Sequence, residues 1–272
     1  MKEVVLITGA SSGIGKATAL QLINNGYIVY ACARRTDKMK ELSDIGGYVI
    51  QLDVTDPVSV RNAVSQIVKE QGRIDVLFNN AGYGSIGAVE DVDLADARRQ
   101  FEVNVFGVAD LTKEVLPVMR KQQSGKIIMT SSMGGKTYAP LASWYHASKH
   151  ALEGWSDCLR LEVKPFGIDV VIIEPGMIAT GFGDITLEPL QKLPVAGPYQ
   201  KMYQSLLSAV ESSNKKGSAS PAAIIADLVS GVIRERKPKI RYVAGTFAKP
   251  ALFIRKWFGD KIFDKVVMSQ FK

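Results

Sequence analysis

Short, β-rich apolar runs alternate with helix-like segments along nearly the whole of this 272-residue chain. "EVVLIT" precedes residues 13–25, "YIVYACA" precedes 36–44, "YVIQLDV" precedes 57–71 and "IDVLFNN" precedes 93–122. Then come "KIIMTSS", a long segment at 143–165, "IDVVIIEPG", helical stretches between 184 and 235, and "KIRYVA". Apolar runs of this continuous kind suit strands buried on both faces, and the segments between them have the length of helical crossovers. The pattern predicts an α/β fold, a doubly wound parallel sheet of about seven strands. No Gly/Ser/Pro linker or solenoid repeat interrupts it, so the expected organisation is one domain at 1–245 and a helical extension at 246–272. In such a sheet ligands bind beyond the carboxyl ends of the strands, and chemistry is to be sought there.

Composition narrows the setting. No apolar run reaches the roughly 20 residues that cross a bilayer, and the opening "MKEVVLITGASSGIG" reads as a first strand, so a cytoplasmic protein is expected. Cys32 and Cys158 lie far apart without metal spacing, as buried thiols of a reducing compartment would. His146 and His150 are four residues apart in "HASKH", but no metalloprotease glutamate or third ligand accompanies them, and no metal site is expected. The net charge of +7 is concentrated at one end. Residues 236–272 carry ten Lys or Arg against Asp260 and Asp264, which leaves the rest of the chain nearly neutral and without the basic stripe of a nucleic-acid protein.

"TGASSGIG", Thr8 to Gly15, joins the first strand to the first helix. Gly9, Gly13 and Gly15 allow a tight turn and close approach to a pyrophosphate, and the helix start near Ile14 offers amide donors and a positive dipole end. Dinucleotide sites carry an acid about 20 residues on for the adenosine ribose, or an arginine where a 2′-phosphate must fit. Here "VYACARRTD" has Ala33 at that place, followed by Arg34 and Arg35. Guanidinium groups match phosphate geometry, so NADP(H) is expected over NAD(H), with Lys16 adding to the field.

Several further motifs follow in order: "LDVTD" at 52–56, "NNAG" at 79–82, "VNVFG" at 103–107, "SSMGG" at 131–135, "YHASK" at 145–149 and "PGMIAT" at 175–180. With these the chain, from about Lys2 to Phe182, strongly resembles the classical short-chain dehydrogenase/reductase family, in a branch that holds hydroxysteroid dehydrogenases and acyl-dihydroxyacetone-phosphate reductase. The resemblance implies a Rossmann-fold oxidoreductase with a catalytic tetrad of Asn104, Ser132, Tyr145 and Lys149. It implies cofactor contacts from Gly9, Ser11, Ser12, Gly13, Ile14 and Gly15, from Asp53 and Val54 at the adenine, and from Asn80, Ala81 and Gly82 under the ribose. Tyr145, Lys149, Pro175, Gly176, Ile178 and Thr180 complete the set at the nicotinamide end. Family precedent also gives Asn104 a water that relays protons to Lys149, and implies a homodimer or homotetramer.

The residue chemistry agrees with the resemblance. Tyr145 and Lys149 share a helix face, and a nearby cation is expected to lower the phenol toward ionisation. Such a tyrosine can pass a proton to or from a substrate oxygen while hydride moves at the nicotinamide, and Ser132 can hydrogen-bond that oxygen. The intact tetrad argues against a vestigial sensor or scaffold that only binds dinucleotide. An extended-type epimerase or dehydratase would need a longer lid than this chain has room for.

The segment at about 184–213 corresponds to the substrate lid of the family. It carries Leu187, Leu190, Leu193, Val195, Tyr199, Met202, Tyr203, Leu206 and Leu207, which favours a small apolar carbonyl or alcohol substrate. The extension interleaves Phe, Leu, Ile and Trp with Lys and Arg. Packing of its apolar residues over the lid or a neighbouring subunit is preferred here to peripheral contact with an anionic membrane through 246–272.

Overall fold

The computed structural model describes residues 2–180, 197–216 and 218–271, with the backbone alone at 209–216. The predicted alternation is realised. Strands β1 (Val4–Thr8), β2 (Ile28–Ala33), β3 (Tyr48–Gln51), β4 (Val76–Asn79), β5 (Gly125–Thr130), β6 (Ile168–Pro175) and β9 (Arg241–Ala244) form one seven-stranded sheet in the order β3-β2-β1-β4-β5-β6-β9. Every pairing in it is parallel. A separate two-stranded pair, β7 (Ile178–Ala179) with β8 (Ser220–Pro221), flanks its carboxyl edge.

Helices cover both faces. One side carries α3 (Pro57–Gln71), α5 (Gly107–Gln122) and α6 (Ser143–Val163), over a core that includes Leu6, Leu77, Ile127 and Ile172. The other carries α1 (Gly13–Asn24) and α8 (Ala223–Arg234), over Val5, Ile7, Phe78 and Ile173. Successive residues of one strand thus serve opposite cores, which is why these strands are apolar without alternation. The turn at Thr36–Met39 is 3₁₀ and leads into the short α2 (Lys40–Asp44), so the helix expected at 36–44 is only partly α.

Chain order reverses between β1 and β4, the strands that start the two halves of the sheet. Thr8 holds that junction together. Its hydroxyl accepts the amides of Asn80 and Ala81, each at 3.0 Å, and the Asn80 side chain donates back to the Thr8 carbonyl at 3.1 Å.

The helix expected across 93–122 is not regular. It begins as α4 (Leu94–Phe101), capped by the Asp93 carboxylate on the Ala95 amide, and widens into a π turn at Glu102–Phe106 before continuing as α5. Such a widened turn usually marks a functional position, and this one holds Asn104.

The C-terminal helix α9 (Ala248–Met268) is broken at Gly259, whose φ of 70° lies in the left-handed region. Only Ala248 and Phe263 are buried outright. Cys158 also departs from expectation: it is exposed on α6, whereas Cys32 is buried in β2.

Candidate active site

The carboxyl ends of β1, β2, β4, β5 and β6 open into one cleft of about 560 Å³. The glycine loop forms its floor. Gly9 (φ 67°) takes a backbone conformation that favours glycine, and a Cβ on Gly15 would stand 2.4 Å from the Gly9 carbonyl oxygen. The loop can close against the start of α1 only without side chains at these points. Ser11, Ser12, Gly13 and Ile14 line the cleft, as do Asn80, Ala81, Gly82, Pro175, Gly176, Ile178 and Thr180; Asn80 and Ala81 stand against Gly9, and Thr180 against Gly13. Gly15 lies just behind the lining.

At one end stand Arg34, Arg35, Asp53 and Val54. Burial would push the Asp53 carboxyl up, but the Thr55 amide (3.0 Å) and hydroxyl (2.8 Å), with the Arg34 and Arg99 charges, hold it below the ordinary range. Arg99, on α4, is a cleft residue the sequence reading did not single out; its motif carries no signal, and only the fold brings it there. Lys16 does not line this end, because its ammonium pairs with Glu41 at 2.6 Å.

At the other end lie Ser132, Tyr145 and Lys149. Ser132 follows β5, buried, with its hydroxyl accepting the Gly134 amide at 3.0 Å. It also hydrogen-bonds the Tyr145 phenol. Tyr145 is half-buried where it borders the cleft, and burial raises its pKa against the lowering effect of Ser132. The phenol expected to be lowered by a neighbouring cation is therefore raised: desolvation outweighs the other influences.

Lys149 is 5% exposed, and its ammonium donates to the Thr130 carbonyl at 2.7 Å. Burial brings its pKa down to about 8, against an opposing pull from Glu153 one turn further along α6. A Cβ on Gly82 would lie 3.7 Å from the Lys149 nitrogen and 3.1 Å from Asn104 Oδ1, so that glycine keeps the space between them open.

Asn104 sits behind the cleft wall. Its side chain receives the Tyr83 amide at 3.1 Å and donates to the Tyr83 carbonyl (2.9 Å) and the Ser148 hydroxyl (3.1 Å). It ties the π turn, the loop after β4 and α6 into one unit. The histidines of "HASKH" bond to backbone: His146 Nδ1 meets the Gly134 carbonyl and His150 Nδ1 the His146 carbonyl, each at 2.9 Å.

Behind Lys149 lies a charged cluster that no motif announced. Glu153 and Glu174, both buried, face each other, and Arg241 of β9 reaches both, at 2.9 and 3.4 Å, and also Asp157 at 2.6 Å. Lys136 pairs with Glu153 at 3.1 Å. Burial and the Glu153 charge push Glu174 up to about 7.

Residues 3–188 match the family described as short chain dehydrogenase. The chain belongs to the short-chain dehydrogenase/reductase family. Within that family, a 3-ketodihydrosphingosine reductase of Bacteroides thetaiotaomicron is 48% identical over 183 residues, 67% of this chain and 66% of that protein. A short-chain dehydrogenase from Streptomyces avermitilis superposes with a TM-score of 0.82 at 32% identity, over 99% of each chain. Another short-chain dehydrogenase/reductase, from Burkholderia phymatum and solved with NAD, gives a TM-score of 0.76 at 27% identity, over 93% of this chain and 90% of that one. The family fold is thus a binder of nicotinamide dinucleotides, and its members are oxidoreductases.

The lid is only partly in view: Leu187, Leu190, Leu193 and Val195 lie outside the described residues. In α7 (Gln200–Lys216), Tyr203 is engaged by the body of the protein. Its hydroxyl donates to Asp91 and accepts the Ala88 amide, both at 2.7 Å. Tyr199 hydrogen-bonds Glu90 in the same loop.

Proposed function

We propose that this protein is an NADP(H)-dependent oxidoreductase that interconverts a carbonyl and an alcohol on an apolar substrate. The observation that carries the proposal is the hydroxyl pair of Ser132 and Tyr145 beside the buried Lys149, at the end of the cleft that begins at the glycine loop. Those glycines make a cradle that side chains would fill, which fits a dinucleotide pyrophosphate. The dinucleotide supplies or accepts the hydride. Tyr145 holds the proton and passes it to the substrate oxygen as the carbonyl becomes an alcohol, or takes it back in the reverse direction. Ser132 hydrogen-bonds that oxygen, and Lys149 stabilises the phenolate left behind. Asn104 is a positioning residue, since its side chain is committed to Tyr83 and Ser148.

A raised Tyr145 is protonated at neutral pH, which suits the reductive direction. Arg34 and Arg35 line the cleft and no acid stands at Ala33, which supports a 2′-phosphate there and hence NADP(H). For the substrate, the apolar lid and the name of the 48% identical relative, a reductase of 3-ketodihydrosphingosine, support an apolar ketone. The two free thiols support a reducing, cytoplasmic setting. Among assemblies, a homo-oligomer is the family arrangement and is proposed here too.

The test is a screen of apolar ketones and alcohols with NADPH and NADH, on wild type and Tyr145→Phe, with cofactor binding measured separately. The proposal expects both proteins to bind NADPH and only wild type to turn over. Turnover of undiminished rate in the phenylalanine variant would remove Tyr145 from the chemistry, and binding without turnover in wild type across the whole screen would favour a sensor.

A further inference from the structure

The outer face of α9 is apolar and cationic at once. Trp257 is 66% exposed, Phe253 57% and Phe258 50%, and their rings lie together, Phe253 being 6.5 Å from Trp257 and 6.0 Å from Phe258. Beyond the break at Gly259, Ile262, Val266 and Met268 are exposed as well. Contiguous exposed apolar surface of this kind marks an interaction site.

The charges on the helix are sorted. Both of its acids are engaged: Asp264 and Asp260 accept the Tyr138 hydroxyl at 2.8 and 3.3 Å, and Asp260 also pairs with Arg255 at 2.5 Å. Phe263 packs edge-on against the Tyr138 ring. Lys249, Lys256, Lys261 and Lys265 are exposed and, among the described residues, join no ion pair. Lys256 lies over the Trp257 ring, 5.1 Å from its centroid. The acids of the helix are thus already partnered, whereas its lysines keep unshared ammonium groups beside exposed aromatic rings.

We propose that this face seats on an anionic lipid bilayer surface, with Phe253, Trp257 and Phe258 entering the headgroup boundary and the four lysines meeting lipid phosphates. Aromatic rings with one apolar body suit that boundary, and long lysine stems let the rings enter while the ammonium groups stay at phosphate depth. A second copy of the same face is a poorer occupant, because a two-fold contact would bring eight unpaired ammonium groups together (four from each copy). The contact is peripheral: among the described residues no helix is long and apolar enough to cross a membrane. The break at Gly259 lets the two halves of the helix lie at different angles on one surface. The face is rooted next to the cleft, since Gly176 and Met177 donate to the Ala244 and Thr246 carbonyls just before α9. This places the proposed cleft chemistry beside the lipid phase, though the proposal stands without it.

The full chain is mixed with phosphatidylcholine vesicles, and with vesicles in which roughly a third of the lipid is phosphatidylglycerol, and sedimented at low and high salt. Binding is expected to the anionic vesicles only, weakened by salt, with a blue shift of tryptophan emission that Trp257→Phe lacks. Each Lys→Gln change at 249, 256, 261 or 265 is expected to lower partitioning roughly fivefold. The triple variant Phe253→Ser, Trp257→Ser, Phe258→Ser is expected to stay in the supernatant with its melting temperature and oligomeric mass unchanged. Equal sedimentation of this variant and wild type would overturn the proposal, as would absence of wild-type binding to anionic vesicles. A fall in oligomeric mass of the triple variant would overturn it in favour of a subunit interface.

Discussion

At one end of the cleft Lys149 is 5% exposed and Tyr145 half-buried, whereas at the other Arg34, Arg35 and Arg99 stand exposed to water. Burial dominates the first end: it raises Tyr145, lowers Lys149 to about 8 and, one layer back, raises Glu174 to about 7. Hydrogen bonds and solvated charges dominate the second, where Asp53 is lowered despite partial burial. Substitutions at the buried end should therefore act through protonation and fold stability. At the open end they should act through affinity and respond to salt, since water and ions screen those charges.

The comparison breaks most visibly at Tyr145. Its change to Phe removes the proton donor, and kcat should fall by about 10²–10⁴-fold while the dissociation constant for NADPH holds. Stopped-flow turnover beside a binding titration separates the two; a loss confined to binding would put Tyr145 with the open end instead.

Arg241→Leu should cost about 3 kcal/mol or more, because it strips the guanidinium from Glu153 and Glu174 in a buried setting. Without that cation Glu174, already raised by burial and the Glu153 charge, holds its proton still more tightly in the folded state than in the unfolded one. Stability should then fall as pH rises above the ordinary carboxylate range, so melting at pH 5 and pH 8 should differ more in the variant than in wild type.

Lys149→Met should lose activity yet change stability in a way particular to the buried end. The folded protein sheds the Lys149 proton near pH 8 and the unfolded chain near 10.5, so wild-type stability gains a contribution as pH rises across that window. The contribution is about 3 kcal/mol at full extent and should be missing in the methionine variant, as denaturant midpoints at pH 7 and pH 10 would show.

Arg34→Ala should give the smallest effect, a loss of roughly tenfold to a hundredfold in preference for NADPH over NADH, with kcat nearly unchanged. The difference should shrink in high salt. A shift in kcat rather than in cofactor KM would mean that the open end reaches the chemistry.

Much of this is legible in the sequence. The strands announce themselves because residues buried on both faces must be apolar throughout, and "TGASSGIG" because only glycine tolerates the approach of Gly15 to the Gly9 carbonyl. α3 runs over Pro57–Gln71, the span the sequence predicts, helped by the Asp56 cap and the proline at its start. What escaped depends on residues distant in sequence. The π turn at Asn104 is fixed by bonds to Tyr83 and Ser148, and no local pattern encodes a partner 44 residues away. The Glu153–Glu174–Arg241 cluster joins α6, β6 and β9, so each member reads in isolation as an ordinary surface charge. The interleaving of apolar and cationic residues in α9 likewise does not show which side docks; the packing of the buried Phe263 against Tyr138 decides that.

The Thr8 hydroxyl has a mechanical consequence. Because it holds the amides of Asn80 and Ala81 against the end of β1, it extends the β1–β4 pairing to the base of the gap between the two halves of the sheet and pins it there. Loops and lid above can differ in length or sequence without prying the crevice apart. The fold separates what grips the dinucleotide from what chooses the substrate, and the second can change while the first stays still.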